Sequence, residues 1–597
     1  MIPRIRCFGS LQPQRLTFSR PSLLMRCLLS FLPLVSVANT CKAFSTSTTV
    51  PSSPSTSSSQ LWVPPPSHLE FFSVAPMMAH TNRHYRYFFR QLSQYAHIYT
   101  EMIPSSQIVQ VFELAVKASA PMTTTSSAEI PYDDPESMQE LAFQIHQFQQ
   151  QDPTALYSEK NAGYFSERNL QFYSIMQEIM APLNAGDYHK DPMVLQLGGR
   201  NPETLGRATA IAMAFGHTQI NLNCGCPSSS VATGNQAGAA LMLEPTLVAE
   251  CLEQMSEAMS FYEKSDNNVA LSLKHRLGVA FANEYDAEYD HAQTDEVAYQ
   301  SCYNFLKVMA SSSNMLSKVQ VHARLALLGM GNTNIYTTDG IDTVGDGGSQ
   351  EEDSSMEAPK KVNHKRVQYF AKREARQATI KNRSVPPLRP KVVEQIAQDF
   401  GSRWEIVSNG GIQSMSHVAD RLQRKQKDAA DTRRDQQQVD NLWKGQAVTG
   451  AMVGRAAINH PCSFATVDSV LWGATKTPKT RLQVLERYME YCQVQEANLK
   501  TTFPSTKPAQ WKYIRKQLVA VPFHLFMGEE GNNAFQRRLR KLSGRGERTT
   551  AKGMLDAAAR EVPSEILEKS VEEHTPWADI EHFDFTKRSG SMQRTIY

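Results

Sequence analysis

The sequence predicts a parallel (β/α)8 barrel, the TIM-barrel architecture, followed by an all-helical C-terminal domain. Three observations point there. Short apolar runs recur along the chain, each closed by a polar or glycine residue. Helical stretches alternate with these runs, the pattern of βα units around a parallel sheet. A doubly wound sheet would want Gly-x-Gly-x-x-Gly after an early strand, and the sequence has none.

At 597 residues the chain exceeds one ordinary domain and can bury a large core. An apolar share of 41% and a charged share of 20% describe a soluble globular protein rather than a disordered or membrane-spanning one. A net charge of +3 is nearly neutral, so an anionic partner must meet a local basic patch. None of the nine cysteines forms Cys-x-x-Cys, which argues against a zinc ribbon or a disulfide framework.

The first acidic residue is Glu70, while arginine stands at 4, 6, 15, 20 and 26. An apolar run over 23–38 is interrupted by Arg26 and Pro33, too short for a membrane span and similar to a signal-peptide core. A Ser/Thr/Pro-rich stretch follows over 45–60. Residues 1–65 therefore read as a targeting leader outside the fold: a two-part plastid leader, with a mitochondrial presequence as rival and an unaddressed tail as the bland reading.

The folded body starts at Phe71. Phe71–Val74 reads as a strand entering a turn at Pro76-Met77-Met78, with an Arg- and aromatic-rich helix over Asn82–Tyr95. A second strand is expected over Ile98–Met102. Residues 118–188 are polar and read as a partly helical rim insertion. Further strands are expected at 194–199, 219–223, 270–274, 319–322, 405–409 and 450–453, with helices over 202–215 and 245–261. A second insertion, about 331–380, runs from acidic Gly/Ser-rich to basic; a third, 421–440, reads as a lengthened helix. The barrel is assigned 66–470, the helical domain 471–550 and a motif-free tail 551–597. Residues 501–550 hold ten Lys/Arg against three Glu. Such a run is either a solvated helix face or an RNA-backbone contact surface.

Barrel chemistry sits at the C-terminal ends of the strands. Those ends carry Pro76/Met77, Gln196, Asn223/Cys226, Lys274, His322, Asn409-Gly410-Gly411 and Gly454-Arg455. Glycine turns after the last two strands suit a phosphate, because backbone N–H groups can approach it closely. Lys274 is a surface lysine on the bland reading; at the end of a buried strand it suits an anionic reduced flavin. Gln196 can bond the ring edge, and His322 the ring or the phosphate. Together they describe a cradle for flavin mononucleotide (FMN). A thiol of ordinary pKa, about 8.5, is mostly protonated near pH 7 and can protonate a carbanion-like centre. As a nucleophile it would need a nearby base, for which His275 is the candidate. Read alone, Cys224 or Cys226 is a buried thiol.

These blocks carry a resemblance. Ser73-Val-Ala-Pro-Met-Met78, Tyr99-Thr-Glu-Met102, Leu195-Gln-Leu-Gly-Gly199, Asn221-Leu-Asn-Cys-Gly-Cys-Pro-Ser228, Lys274-His-Arg-Leu-Gly278, Val321-His-Ala-Arg324, Asn382-Arg-Ser-Val-Pro-Pro-Leu388, Ser408-Asn-Gly-Gly411 and Met452-Val-Gly-Arg455 occur in one order over 70–465. The chain resembles the tRNA-dihydrouridine synthases, nearest their bacterial A-type branch. The resemblance implies FMN held by Pro76, Met77, Met78, Gln196, Lys274 and His322, with its phosphate at Asn409, Gly410, Gly411, Gly454 and Arg455. It implies NADPH as reductant, hydride delivery to C6 of a flipped uridine and protonation of C5 by Cys226. It implies tRNA contacts at Asn223, Arg324, Asn382, Arg383, Arg537 and Arg538, and D-loop targets at positions 20 and 20a. Cys224 receives no role. Competing readings are an FMN barrel for a free pyrimidine, like the dihydroorotate dehydrogenases, and a catalytically silent tRNA-binding protein. The basic helical tail disfavours the first; intact Cys226, Lys274 and His322 disfavour the second.

Overall fold

A computed structural model describes residues 70–119, 130–151, 169–181, 192–227, 238–262, 269–281, 291–312, 314–328, 386–422, 448–475, 477–504, 506, 508–544 and 549–573. The leader, the insertion at 331–380, most of that at 421–440, and Asn382 and Arg383 lie outside them.

The strands are β1 (Phe72–Val74), β2 (His97–Tyr99), β3 (Ile103–Pro104), β4 (Met193–Gly198), β5 (Gln219–Cys224), β6 (Ala270–Arg276), β7 (Val279–Phe281), β8 (Leu316–His322), β9 (Ala326–Leu328), β10 (Glu405–Asn409) and β11 (Gly450–Val453). Eight close a parallel ring in the order β1-β2-β4-β5-β6-β8-β10-β11, with β11 pairing back onto β1. The architecture is the expected (β/α)8 barrel. Short β3 adds to the end of β4, and β7 pairs β9 above the ring.

Period-two alternation sorts the side chains. Ile220, Leu222 and Cys224 of β5, Leu271 and Leu273 of β6, and Val319 and Val321 of β8 join the large apolar core. The alternate positions face the barrel interior, where Ala75, Tyr99, Val194, Val407 and Met452 form a small separate cluster. Beside it the interior is polar: Gln196, Asn221, Asn223, Ser272, Lys318, Gln320 and Asn409 are all buried.

Two expected elements differ. The first helix spans Arg83–Arg90, shorter than expected. Asn82 caps its start by accepting from His84 and Tyr85 N–H. Its end is set by Arg90, whose guanidinium takes the carbonyls of Gln94 and Ala96, while Asp468 takes the Gln94 N–H. The expected strand Ile98–Met102 is instead β2 and β3, separated where the Thr100 hydroxyl bonds the Glu101 carbonyl.

The first insertion contributes helices Pro135–Gln151 and Asn169–Ile179. The second of these is more than rim decoration. Glu178 pairs with buried Arg86, Gln177 accepts from Arg83, and Tyr173 packs edge-on against Phe503. C-terminal helices follow at Arg481–Thr502, Pro508–Ala520, Asn532–Gly544, Ala551–Ala559 and Ser564–Glu568. The last two lie beyond 550 yet pack against the helices at 481–502 and 532–544. The helical region therefore continues into the stretch read as a tail. It docks on the barrel through Tyr491, stacked on Tyr87 at 4.1 Å, and through Tyr488 against Phe88.

Candidate active site at the barrel mouth

Asn223 is the last interior-facing residue of β5, and its side chain organises the loop that follows. Its Oδ1 accepts from Gly225 N at 3.0 Å and from Cys226 N at 3.3 Å, an Asx-type turn. The Gly225 carbonyl accepts from Arg276 Nε at 2.9 Å, and the Cys226 carbonyl from Ala239 N at 2.9 Å. Gly238, at φ +71°, stands where a Cβ would lie 2.5 Å from that carbonyl. Cys226 is thus half-buried in a loop tied on three sides. Cys224 points the other way, into the apolar core, where burial pushes its thiol well above the ordinary range and leaves it inert.

Register sets Asn223 beside Lys274, and Arg276 beside His322. Lys274 is half-buried, and burial together with the neighbouring Arg276 lowers it to about 8, against a small opposing pull from Cys226. His322 is held well below the ordinary imidazole value by burial, and then by Arg276, Lys274, Arg324 and Arg455. Among the described residues, every charged group set against His322 is a cation. Among the described residues no carboxylate pairs with Lys274 or Arg455, and burial lowers Arg455 as well. A half-buried lysine and an arginine without a carboxylate partner attract anions.

Asn409 donates to the Met452 carbonyl at 2.8 Å, tying the ends of β10 and β11 together. Gly410 and Gly411 follow at φ +114° and +76°, conformations side chains rarely adopt. A Cβ on Gly410 would sit 2.9 Å from the His322 ring. Gly454 leads into the short helix Arg455–Asn459, and its nearest neighbour across the mouth is the Met77 sulfur, 3.8 Å from a built Cβ. The β1 loop is held by Met77 N donating to Thr81 Oγ1 at 2.9 Å. Ala79, at φ +64°, donates its N–H to Glu101, whose carboxyl burial raises to about 7. Pro76 is half-buried and Met78 exposed. Gln196 is 2% exposed and donates Nε2 to Asn221 Oδ1 at 2.7 Å.

The mouth therefore brings together Pro76, Met77, Gln196, Asn223, Cys226, Lys274, His322, Asn409, Gly410, Gly411, Gly454 and Arg455, as strand ends of a closed barrel must. Arg324 is nearby and donates to the Pro386 carbonyl. His275 does not belong to the group: it is fully buried, bonds the Arg276 carbonyl at 2.6 Å, packs on Phe305, and is lowered to about 4 by burial. Odd-even alternation sends it outward, so it is no base for Cys226. Arg537 is exposed on the helix Asn532–Gly544, and Arg538 has a 3.9 Å contact to Glu561. Phe535, Gln536 and Leu539 are that helix's buried face.

Sequence reasoning assigned no role to Arg276 or Glu101. Both act on backbone groups of functional loops, which residue type alone does not announce. It also missed a cavity of about 240 Å³ between the barrel rim and the helical region, lined by Ala79, His80, Ile458, Tyr513, Lys516 and Gln517. Tyr513 is 58% exposed there. Among the described residues no cluster of metal-ligating side chains occurs, and no helix is long and apolar enough to cross a membrane.

The sequence model of the family Dihydrouridine synthase (Dus) matches residues 73–154 and 172–300. The chain is similar to the tRNA-dihydrouridine(20/20a) synthase of Synechocystis sp., 27% identical over 70% of this chain and 77% of that protein. It is similar to the enzymes of that name from Pseudomonas aeruginosa, at 26% over 71% and 80%, and Shewanella oneidensis, at 25% over 78% and 87%.

Proposed function

We propose that this chain, which carries a dihydrouridine synthase domain, reduces the C5–C6 bond of uridines in the D loop of tRNA, at positions 20 and 20a, using FMN and NADPH. The observation that carries the reading is the gathering, beside the loop that holds Cys226, of Lys274 and Arg455, which no carboxylate among the described residues pairs, around the neutral His322 ring.

The residues at the mouth fit FMN. A phosphate answers the charge of Arg455, which no carboxylate among the described residues pairs, and the Gly410-Gly411 turn has the backbone freedom to approach it. Lys274 and Gln196 offer a cation and an amide to the ring. Bound there, FMN would supply the hydride for C6 of uracil after reduction by NADPH. Cys226 holds the proton that C5 then requires, and Asn223 and Arg276 keep its loop in place by their bonds to Gly225 and Cys226.

A base inside a barrel mouth must leave its stack, and loop nucleotides are extruded most easily. The rim cavity with Lys516 and an exposed Tyr513, and outward-facing Arg537, suit an RNA strand laid from mouth to helical region. The arginine-bearing, acid-free leader supports import into an organelle, a plastid before a mitochondrion.

The test uses the purified protein, unmodified tRNA transcript and NADPH. A yellow protein that bleaches with NADPH and forms dihydrouridine in the D loop supports the reading. Equal reduction of free uridine would instead favour an oxidoreductase of free pyrimidines.

A further inference from the structure

Below the mouth, the barrel interior holds a chain of side-chain hydrogen bonds running one way. Gln196 Nε2 donates to Asn221 Oδ1 at 2.7 Å. Asn221 Nδ2 donates to Gln320 Oε1 at 3.0 Å, and Gln320 Nε2 to Glu70 Oε2 at 3.2 Å. Tyr99 donates its hydroxyl to the same carboxylate at 3.0 and 3.1 Å. Glu70, Gln196, Asn221 and Gln320 are each 2% exposed or less, and buried Lys318 is the cation set against Glu70.

An amide can flip, so its direction must be fixed from outside. Burial raises the Glu70 carboxyl at the far end, but it faces the Lys318 cation and both of its oxygens accept from the Tyr99 hydroxyl, the arrangement of an acceptor-only carboxylate. Gln320 must then turn its NH2 toward Glu70 and its oxygen toward Asn221. Asn221 must in turn offer NH2 to Gln320 and its oxygen to Gln196. Gln196 is left to spend an N–H inward. Ser272, which accepts from Asn221 Nδ2 at 2.8 Å, can donate or accept and so follows the direction rather than setting it. Gln196 Oε1 ends with no protein donor among the described residues, in a side chain that is 98% buried by the 2% it exposes.

We infer that Glu70, at the lower end of the barrel, is a positioning residue that orients the Gln196 amide through Gln320 and Asn221, presenting its oxygen as an acceptor to the bound flavin. The inference rests on the FMN reading of the mouth. It specifies what Gln196 recognises: the oxidised isoalloxazine ring has a single N–H, at N3, so the Gln196 oxygen selects that edge, while the second N–H of its amide stays available to a neighbouring ring carbonyl.

The experiment measures flavin affinity by fluorescence quenching, with no turnover. FMN is compared with its 3-methyl analogue, which carries no N–H at position 3. The wild-type protein should prefer FMN by about tenfold or more, the effect of leaving a buried acceptor unmatched. Gln320→Met cuts the chain but keeps Glu70 beside Lys318; Glu70→Gln lets the far end donate. In both, the preference should fall at least about threefold below the wild-type ratio. Tyr99→Phe removes one bond to Glu70 without freeing any amide and should keep the wild-type preference, which controls for disturbance of the core. Should Glu70→Gln not fold, Gln320→Met alone reads the result. Undiminished preference in the folded variants, or none in the wild type, overturns the inference while leaving FMN binding intact. A wild-type protein that binds neither flavin overturns the FMN reading itself.

Discussion

Replacing Lys274 with methionine should make the flavin-free protein more stable and the flavin weaker. The structure lowers this lysine from 10.5 to about 8, chiefly by burial and then by Arg276. Holding it charged at pH 7 therefore costs about 3 kcal/mol, at about 1.4 kcal/mol per tenfold change in proton affinity. Its half-buried position leaves some solvent screening, so the gain from Lys274→Met in the flavin-free protein should be nearer 1–2 kcal/mol. The sign follows from linkage. The folded value lies below the unfolded one, so the penalty is full below pH 8 and fades as pH rises from 8 toward 10.5. The stability advantage of Lys274→Met should shrink over the same interval. Flavin binding works in reverse: an anion favours the charged lysine, so affinity should be flat below pH 8 and fall above it, up to tenfold per pH unit. Lys274→Met should lose about 1.5–3 kcal/mol of FMN affinity, the worth of a charge-assisted bond, and lose the pH dependence too. Denaturant titration of the flavin-free proteins and fluorescence titration of FMN at pH 7 to 9.5 give both readings. A variant that is destabilised at pH 7 and binds FMN as tightly as before would refute the reasoning: Lys274 would then be a structural cation, not one waiting for an anion.

Gly410→Ala forces φ +114° on a residue with a Cβ and drives it to 2.9 Å from the His322 ring; stability should drop by about 1–3 kcal/mol on denaturation and FMN retention should fall with it. Arg276→Met frees the Gly225 carbonyl, and turnover on tRNA should fall by about tenfold or more while FMN stays bound, read by single-turnover kinetics on flavin-loaded protein. Tyr513→Ala removes an exposed ring at the rim cavity; the KM for tRNA should rise by about fivefold or more with kcat little changed, a stacking effect of roughly 1–3 kcal/mol.

Much of the barrel can be read from the sequence because its strands are apolar on the outward face. Glu405–Asn409 and Gly450–Val453 lie where their runs place them, each ending in the residues that form the mouth. The start of β8 was less legible. Leu316-Ser-Lys318 carries a lysine, and nothing local says that it is buried opposite Glu70, 248 positions away. The polar interior is hidden for the same reason: Asn221, Ser272 and Gln320 look like strand-ending or exposed residues until the ring closes and each finds a partner across it. His275 lies off the site, though one residue from Lys274, because a one-residue step in a strand reverses the face. The helix Ala551–Ala559 carries a readable structural signal, Thr550 as N-cap before an alanine-rich run, but no functional motif. The bracing role of Glu178 was not legible at all, since its partner Arg86 is joined to it only by the fold.

The most direct measurement is dihydrouridine formation by Cys226→Ala on unmodified tRNA with NADPH, beside Cys224→Ala and the wild type, each with its bound flavin quantified. The account predicts a fall of about 100-fold or more for Cys226→Ala with flavin content unchanged, and near wild-type activity for Cys224→Ala if its core tolerates the smaller side chain. Full activity without the Cys226 thiol would contradict it.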